Sequence, residues 1–248
     1  MPTRLNKFIA LALGISRREA DTMVGQGKVR INNLPARIGQ HVSASDDVRV
    51  GDKKLKTADY QYILLHKPSG YVCSRKQQGD TPTIYSLLPS DLSHLKPVGR
   101  LDKDSSGLLI LTNDGDFAHR MTHPKFRKSK IYEIEIDKPL SEKDFRKITE
   151  IGVDIGELKL SKFQLVARHQ SSVISKTTIQ EPSDWRLGTK DWSVTLREGR
   201  NRQIRRTFSA LGYEVIRLHR TAFGNFSLAK YPLDAGKWQE LPPQTHLL

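Results

Sequence analysis

The sequence predicts an α+β protein in two parts: a small α/β module over residues 1–50 and, beyond a linker at 51–59, a domain over 60–248 built on a largely antiparallel mixed sheet. Three observations predict it. Most of the chain reads as short apolar or alternating segments with few helical patterns between them, the order of an antiparallel sheet. Two short helical patterns and a small hairpin open the sequence. Gly51 to Asp59 is lysine-rich, lacks periodicity and separates these two regions.

In the first part, Leu5, Phe8, Ile9 and Ala12 recur at helical spacing and Gly14 closes the segment. Ser16-Arg17-Arg18-Glu19 reads as a capping box, Ala20, Met23 and Val24 give the apolar face, and Gly25 to Gly27 supply the stop. Val29 to Asn32 alternates, Asn33 tolerates the positive φ of a hairpin turn, and Asp47 to Val50 is a further strand. Arg4, Lys7, Arg17, Arg18, Lys28 and Arg30 lie outside the expected core. Any one of them alone is an ordinary solvated charge. Arg17 and Arg18, however, sit at a helix N-terminus, where the macrodipole disfavours cations, so the set points to an anionic partner.

The second part starts with an apolar strand at Tyr62 to Leu65, ended by Lys67-Pro68-Ser69-Gly70; His66 within it reads as structural. Thr83 to Leu88 reads as a short helix and Pro89 to Pro97 as a loop. Gly99 to Asp116 holds four acids around a continuous apolar run, Leu108 to Leu111, bounded by Gly107 and by Asn113-Asp114-Gly115. That run suits a strand buried on both faces, which places Asp102 in the loop entering it. A carboxylate at the rim of a rigid sheet is well placed for chemistry. Asp102, Asp104, Ser106 and Gly107 also match the opening of a calcium loop, but the closing position is Asn113 and the flanks are not helical. For Asp104, Ser105 and Ser106 the preferred reading is turn capping.

Phe117, Ala118 and Met121 predict a short helix that His123-Pro124 ends. Lys130 to Ile136 alternates as a half-buried strand containing Tyr132, although Ile131, Ile134 and Ile136 do not share one register. Leu140 to Ile151 reads as a surface helix and Phe163 to Ala167 as a strand; Arg168 to Leu187 carries no motif. Strand character resumes at Val194 to Leu196, before Glu198-Gly199-Arg200-Asn201-Arg202-Gln203-Ile204-Arg205-Arg206. Asn201 is the expected N-cap, Ile204, Phe208 and Leu211 form one helix face, and Gly212 ends it. Arg202, Arg205 and Arg206 crowd the first turns, which calls for an anion, either RNA phosphate or a protein carboxylate. Tyr213 to Leu218 returns as a strand.

Four stretches together carry a resemblance: Gly99-Arg100-Leu101-Asp102 with Ser105 to Leu109, Lys130-Ile131-Tyr132, Glu198 to Arg206, and Arg217-Leu218-His219-Arg220 with Phe223-Gly224. In this order they resemble the motifs of the RsuA-like family of bacterial ribosomal RNA pseudouridine synthases, and the match covers almost the whole chain. The first part resembles the RNA-binding module named after the fourth small-subunit ribosomal protein. The resemblance implies isomerisation of a chosen uridine to pseudouridine without a cofactor. It implies Asp102 as catalytic carboxylate, Tyr132 as the ring that stacks on the target base, and Arg205 as the partner of Asp102. Arg100 and Arg202 are then expected to meet RNA. The chain departs from the family at Asn33, where Gly is usual, at His66, where Asn is usual, and at Thr207, where Met is frequent.

Composition agrees with such a partner. Lys and Arg number 41 against 27 acids, a net charge of +14, which favours polyanions regardless of their sequence. No apolar run approaches the ~18 residues of a membrane span, no signal peptide is read, and the single Cys73 excludes an internal disulfide or a cysteine-rich zinc site. The expectation is a cytoplasmic monomer acting on ribosomal RNA or a pre-ribosomal particle, without a metal. The Asn201 to Arg206 form of the third motif favours large-subunit RNA; the alternatives are a small-subunit enzyme and a non-catalytic assembly protein that binds RNA. A metal-dependent nuclease using Asp102, Asp104, Asp114 and Asp116 is a third reading.

Overall fold

The computed structural model describes residues 2–168, 188–242 and 245, so all but Arg168 of the motif-free stretch from Arg168 to Leu187 lies outside the described residues. Helices α1 (Leu5–Leu13) and α2 (Arg17–Gly25) form where the apolar spacing predicts them. Gly14 ends α1 at φ 68°, and both halves of the Ser16/Glu19 capping box are made. Strands β1 (Val29–Ile31) and β2 (Val48–Val50) pair antiparallel. Asn32 and Asn33 both take left-handed φ, 50° and 68°, so the hairpin turn survives the Asn that replaces Gly. Leu5, Ile9, Ala20, Val24, Val29 and Val48 bury together as this module's core. The expected linker at 51–59 is shorter than the sequence suggests: Lys53–Lys54 pairs with β2 and Leu55 is buried in the same core. The lysines point outward, and that hides a strand from a reading by hydrophobic period.

The larger sheet contains β3 (Tyr62–Lys67), β4 (Ser106–Thr112), β5 (Lys130–Ile136), β6 (Gln164–Ala167), β7 (Asp191–Leu196), β8 (Val215–Phe223) and β9 (Trp238–Glu240). Their order is β6-β7-β5-β8-β4-β3-β9, and every neighbouring pair is antiparallel except β8 with β4. As the apolar run predicts, β4 is buried on both faces. Leu109 and Leu111 face one core with Ile63 and Leu65; Leu108 and Ile110 face the other with Tyr62 and Leu64. On β5 the inward residues are Tyr132, Ile134 and Ile136; Ile131 is out of phase by plain alternation, and the register shift beside it takes its extra residue, Thr221, from β8.

Helix α3 (Gly115–Thr122) buries Phe117 and Met121 on one face of the sheet, and α5 (Gln203–Ala210) buries Ile204 and Phe208 on the other. The predicted surface helix is one α-turn, α4 (Glu142–Arg146), continued by a wider π-type turn at Lys147–Ile151. Thr83 to Leu88 is a 3₁₀ turn, Ile84–Leu87, and the stretch read as loop contains a second turn, Ser90–Leu92, and a short strand, Lys96–Pro97. No described helix is long and apolar enough to cross a membrane.

Candidate active site

The parallel junction of β8 with β4 sets the site. Gly107 pairs with Arg220 there at φ 113°, and a Cβ at this glycine would overlap the Arg220 carbonyl oxygen. Only glycine lets the two backbones meet. The close approach brings the loop before β4, with Asp102, beside the residues that β8 and β5 present. These residues line a cavity of about 290 Å³ together with Arg100, Lys130, Tyr132, Arg202 and Arg220.

The Asp102 loop is pinned along its length. Lys67 is fully buried, and its ammonium donates to the carbonyls of Ser105 at 2.6 Å, Pro68 at 3.0 Å and Lys103 at 3.5 Å. Gly70 N–H donates to the Lys103 carbonyl at 2.7 Å, Leu101 N–H to Cys73 Sγ at 3.5 Å, and Ser105 N–H to the Asp102 carbonyl at 3.1 Å. Burial lowers the Lys67 ammonium to about 8, opposed by Cys73, Asp102 and Asp104, and burial also raises the Cys73 thiol. Asp102 itself remains one-third exposed.

The expected pair between Arg205 and Asp102 is not formed. Arg205 Nε lies 3.2 Å from Asp104, and its Nη2 donates to the Asp104 carbonyl at 3.0 Å. The nearest arginine to Asp102 is Arg202, 3.7 Å away, which also grips Asp104 with both terminal nitrogens at 3.1 and 3.0 Å. Arg202, expected to meet RNA, therefore spans the two aspartates. Asp104 is an ion-pair hub as well as a residue bonded to its own backbone: burial would raise its carboxyl, but Arg202, Arg205 and its own N–H hold it below the usual range. Arg206 diverges to Glu157 and the Ile155 carbonyl. The anions called for by the arginine-rich helix start are thus protein carboxylates, while Asp102 faces the cavity.

Asn201 is not the N-cap. Arg202 occupies that position at φ 46° and makes no side-chain cap bond. Gln203 does the local tying: it is buried, donates to Glu198 at 2.6 Å and to Ser161 at 3.2 Å, and accepts from the Arg200 N–H. The four acids of the nuclease reading part company. Asp114 caps α3 and accepts from the Tyr62 hydroxyl at 2.8 Å, whereas Asp116 pairs with Lys7. Among the described residues no group of three His, Cys, Asp or Glu side chains is arranged to hold a metal ion.

On the first module Arg4, Lys7 and Arg17 line one hollow, although Lys7 is engaged by Asp116 of α3. Arg18, Lys28 and Arg30 are exposed, as is Arg100 at the cavity. Sequence reasoning passed over Lys67, Gln203 and Arg220. For Lys67 a signal was present, since period two from Ile63 and Leu65 carries its side chain inside.

A carboxylate on a clamped loop, above a sheet floor and joined to a basic module, is the arrangement of an enzyme that works on a polyanion. Residues 3–60 match the S4 domain, and residues 61–210 match the RNA pseudouridylate synthase family. The ribosomal large subunit pseudouridine synthase B of Bacillus subtilis is 33% identical, over 97% of this chain and 92% of its own. The ribosomal small subunit pseudouridine synthase A of Pasteurella multocida is also 33% identical, over 91% and 90%. A crystal structure of a pseudouridylate synthase aligns with a TM-score of 0.65 at 32% identity, covering 98% of both chains. The class is therefore that of the RNA pseudouridine synthases, which are isomerases. The chain belongs to the RNA pseudouridylate synthase family and carries an S4 domain, as the resemblance to the RsuA-like enzymes implies.

Proposed function

We propose that this protein isomerises one uridine of large-subunit ribosomal RNA, with Asp102 as its catalytic carboxylate. The observation that carries the reading is the pinned loop, which presents Asp102 to the same cavity as Tyr132. A stacked uridine cannot reach that carboxylate, so it must be flipped out of the RNA and into the cavity. Tyr132 then offers its ring to the base, and Arg100 at the rim meets backbone phosphate. Two routes break the C1′–N1 bond, attack on the sugar and removal of the neighbouring ribose proton, and both use the Asp102 carboxylate. Arg205 acts as a positioning residue, holding the loop through Asp104. The large-subunit assignment rests on the form of the third motif, and mapping pseudouridine in both ribosomal RNAs from cells with and without the gene tests it. Loss of one large-subunit site, restored with the gene, is the expected result; loss of a small-subunit site would reassign the substrate, and no change would refute the function.

If Tyr132 contributes mainly by stacking, Tyr132→Phe should retain most activity, whereas Tyr132→Ala should lose about 1–3 kcal/mol of base binding. Equal losses in single-turnover assays would assign the contribution to the hydroxyl. Arg17 and Arg18 offer a test of the first module, because they occupy the first turn of α2, where cations are unfavourable. The double variant Arg17→Glu/Arg18→Glu should unfold at a higher temperature, by about 0.3–1 kcal/mol per site, yet bind ribosomal RNA more weakly. Its log–log salt slope should flatten by about 0.7–0.9 for each phosphate no longer neutralised. An unchanged slope would remove these two arginines from the interface.

A further inference from the structure

Arg220 is 1% exposed, lines the cavity and has no salt bridge among the described residues. Its Nε donates to the Leu108 carbonyl at 2.8 Å, while Nη2 is buried without a hydrogen-bond partner. A buried guanidinium with an unused donor is costly unless something else completes it. Beside it stands Lys130, partly buried, whose ammonium donates, among the described residues, only to a backbone carbonyl, that of Glu198 at 3.2 Å. Both cations lie over the same ring, Phe223, at 5.1 and 5.3 Å from its centroid. Burial lowers the Lys130 ammonium, and the neighbouring Arg220 charge adds to that shift against the pull of Glu198. This paired charge sits beside Tyr132, the ring proposed above to stack on the base, because Arg220 is the direct cross-strand neighbour of Tyr132.

We infer that Arg220, assisted by Lys130, binds the uracil ring and stabilises the negative charge it carries while detached from the ribose. The inference rests on the reading of Asp102 given above and deepens it. When the C1′–N1 bond breaks, its electron pair stays with N1 and spreads over the O2 and O4 carbonyls. The ring then turns, C5 bonds to C1′, a proton leaves C5 and one joins N1, so that charge and atoms balance. Either route at the sugar releases the same anion. A preorganised cation that meets charge only as it develops lowers the barrier without tightening ground-state binding. A backbone phosphate would be held equally in the substrate and in the transition state.

The test is a leaving-group comparison in single turnover, with uridine or 5-fluorouridine at the mapped site in a ribosomal RNA fragment, read for both as loss of the C1′–N1 bond, because fluorine at C5 leaves no proton to release there. Fluorine withdraws electrons and stabilises the ring anion by itself. Arg220→Gln is therefore expected to slow uridine by about 100-fold or more and 5-fluorouridine by at least tenfold less, with RNA affinity nearly unchanged. Equal losses for the two nucleotides, or a loss of affinity that accounts for the rate, would overturn the inference in favour of a structural or phosphate-binding role. Should Arg220→Gln fail to fold, Lys130→Met carries the same comparison: a smaller loss that 5-fluorouridine relieves supports the inference, and a loss it does not relieve refutes it. If the unaltered enzyme forms no pseudouridine in any ribosomal RNA fragment, the functional reading falls and this one with it.

Discussion

Asp102→Asn is expected to abolish pseudouridine formation while leaving affinity for ribosomal RNA within a few-fold. The substitution keeps size and shape and removes the charge that either route at the ribose requires. A rearranged loop would not account for such an effect, because the anchors do not involve the Asp102 side chain: Lys67, Gly70, Cys73 and Arg205 all hold backbone atoms of residues 101–105. The substitution also ends the ion pair of Asp102 with Arg202 at 3.7 Å, but that arginine keeps its two bonds to Asp104. Single-turnover rates and binding titrations on the same preparation check both halves. Appreciable turnover by the variant would remove Asp102 from the chemistry.

Lys67→Met should cost about 100-fold in rate, the scale of a displacement near 1 Å at a reacting group, with little change in RNA affinity. The methionine fills the space but abandons three backbone carbonyls, of which the Ser105 carbonyl at 2.6 Å is the shortest contact. Stability should change less than rate, since removing a buried ammonium also removes its desolvation. The pH dependence separates the two effects. With the folded ammonium at about 8 and the free value at 10.5, the unfolded chain holds a proton between those pH values that the folded chain has released. Stability contributed by this group therefore rises with pH across that window, the burial penalty being complete below it. Activity should fall over the same window as the loop loses a charged donor. Lys67→Met should lack both dependences, and an unchanged alkaline limb in the variant would clear Lys67 of the clamp.

Much of this organisation was legible in the residues. Apolar runs and caps are local signals, so Ser16/Glu19, Gly14 and the doubly buried β4 emerged where they were expected. Motif order also placed Asp102 on the loop before β4 and Tyr132 on β5. What failed was partner choice. Arg202 and Arg205 differ by less than one helical turn, and the left-handed backbone at Arg202 redirects its side chain in a way no spacing rule contains. Lys53–Lys54 was hidden because an edge strand with outward lysines has no apolar period. Lys67 and Arg220 were missed for the opposite reason: a charged residue in a strand is normally read as solvent-facing, and here each is buried by what it holds.

The most direct measurement of the central claim uses ribosomal RNA transcribed with uridine tritiated at carbon 5. Joining that carbon to the ribose expels its hydrogen, so each completed isomerisation releases one tritium to water. The unaltered protein should release tritium up to one equivalent per mapped site, with pseudouridine appearing in the same yield, and Asp102→Asn should release none at equal RNA occupancy. No release by the unaltered protein, or equal release by the variant, would contradict the assignment of Asp102 as the catalytic carboxylate of a pseudouridine synthase.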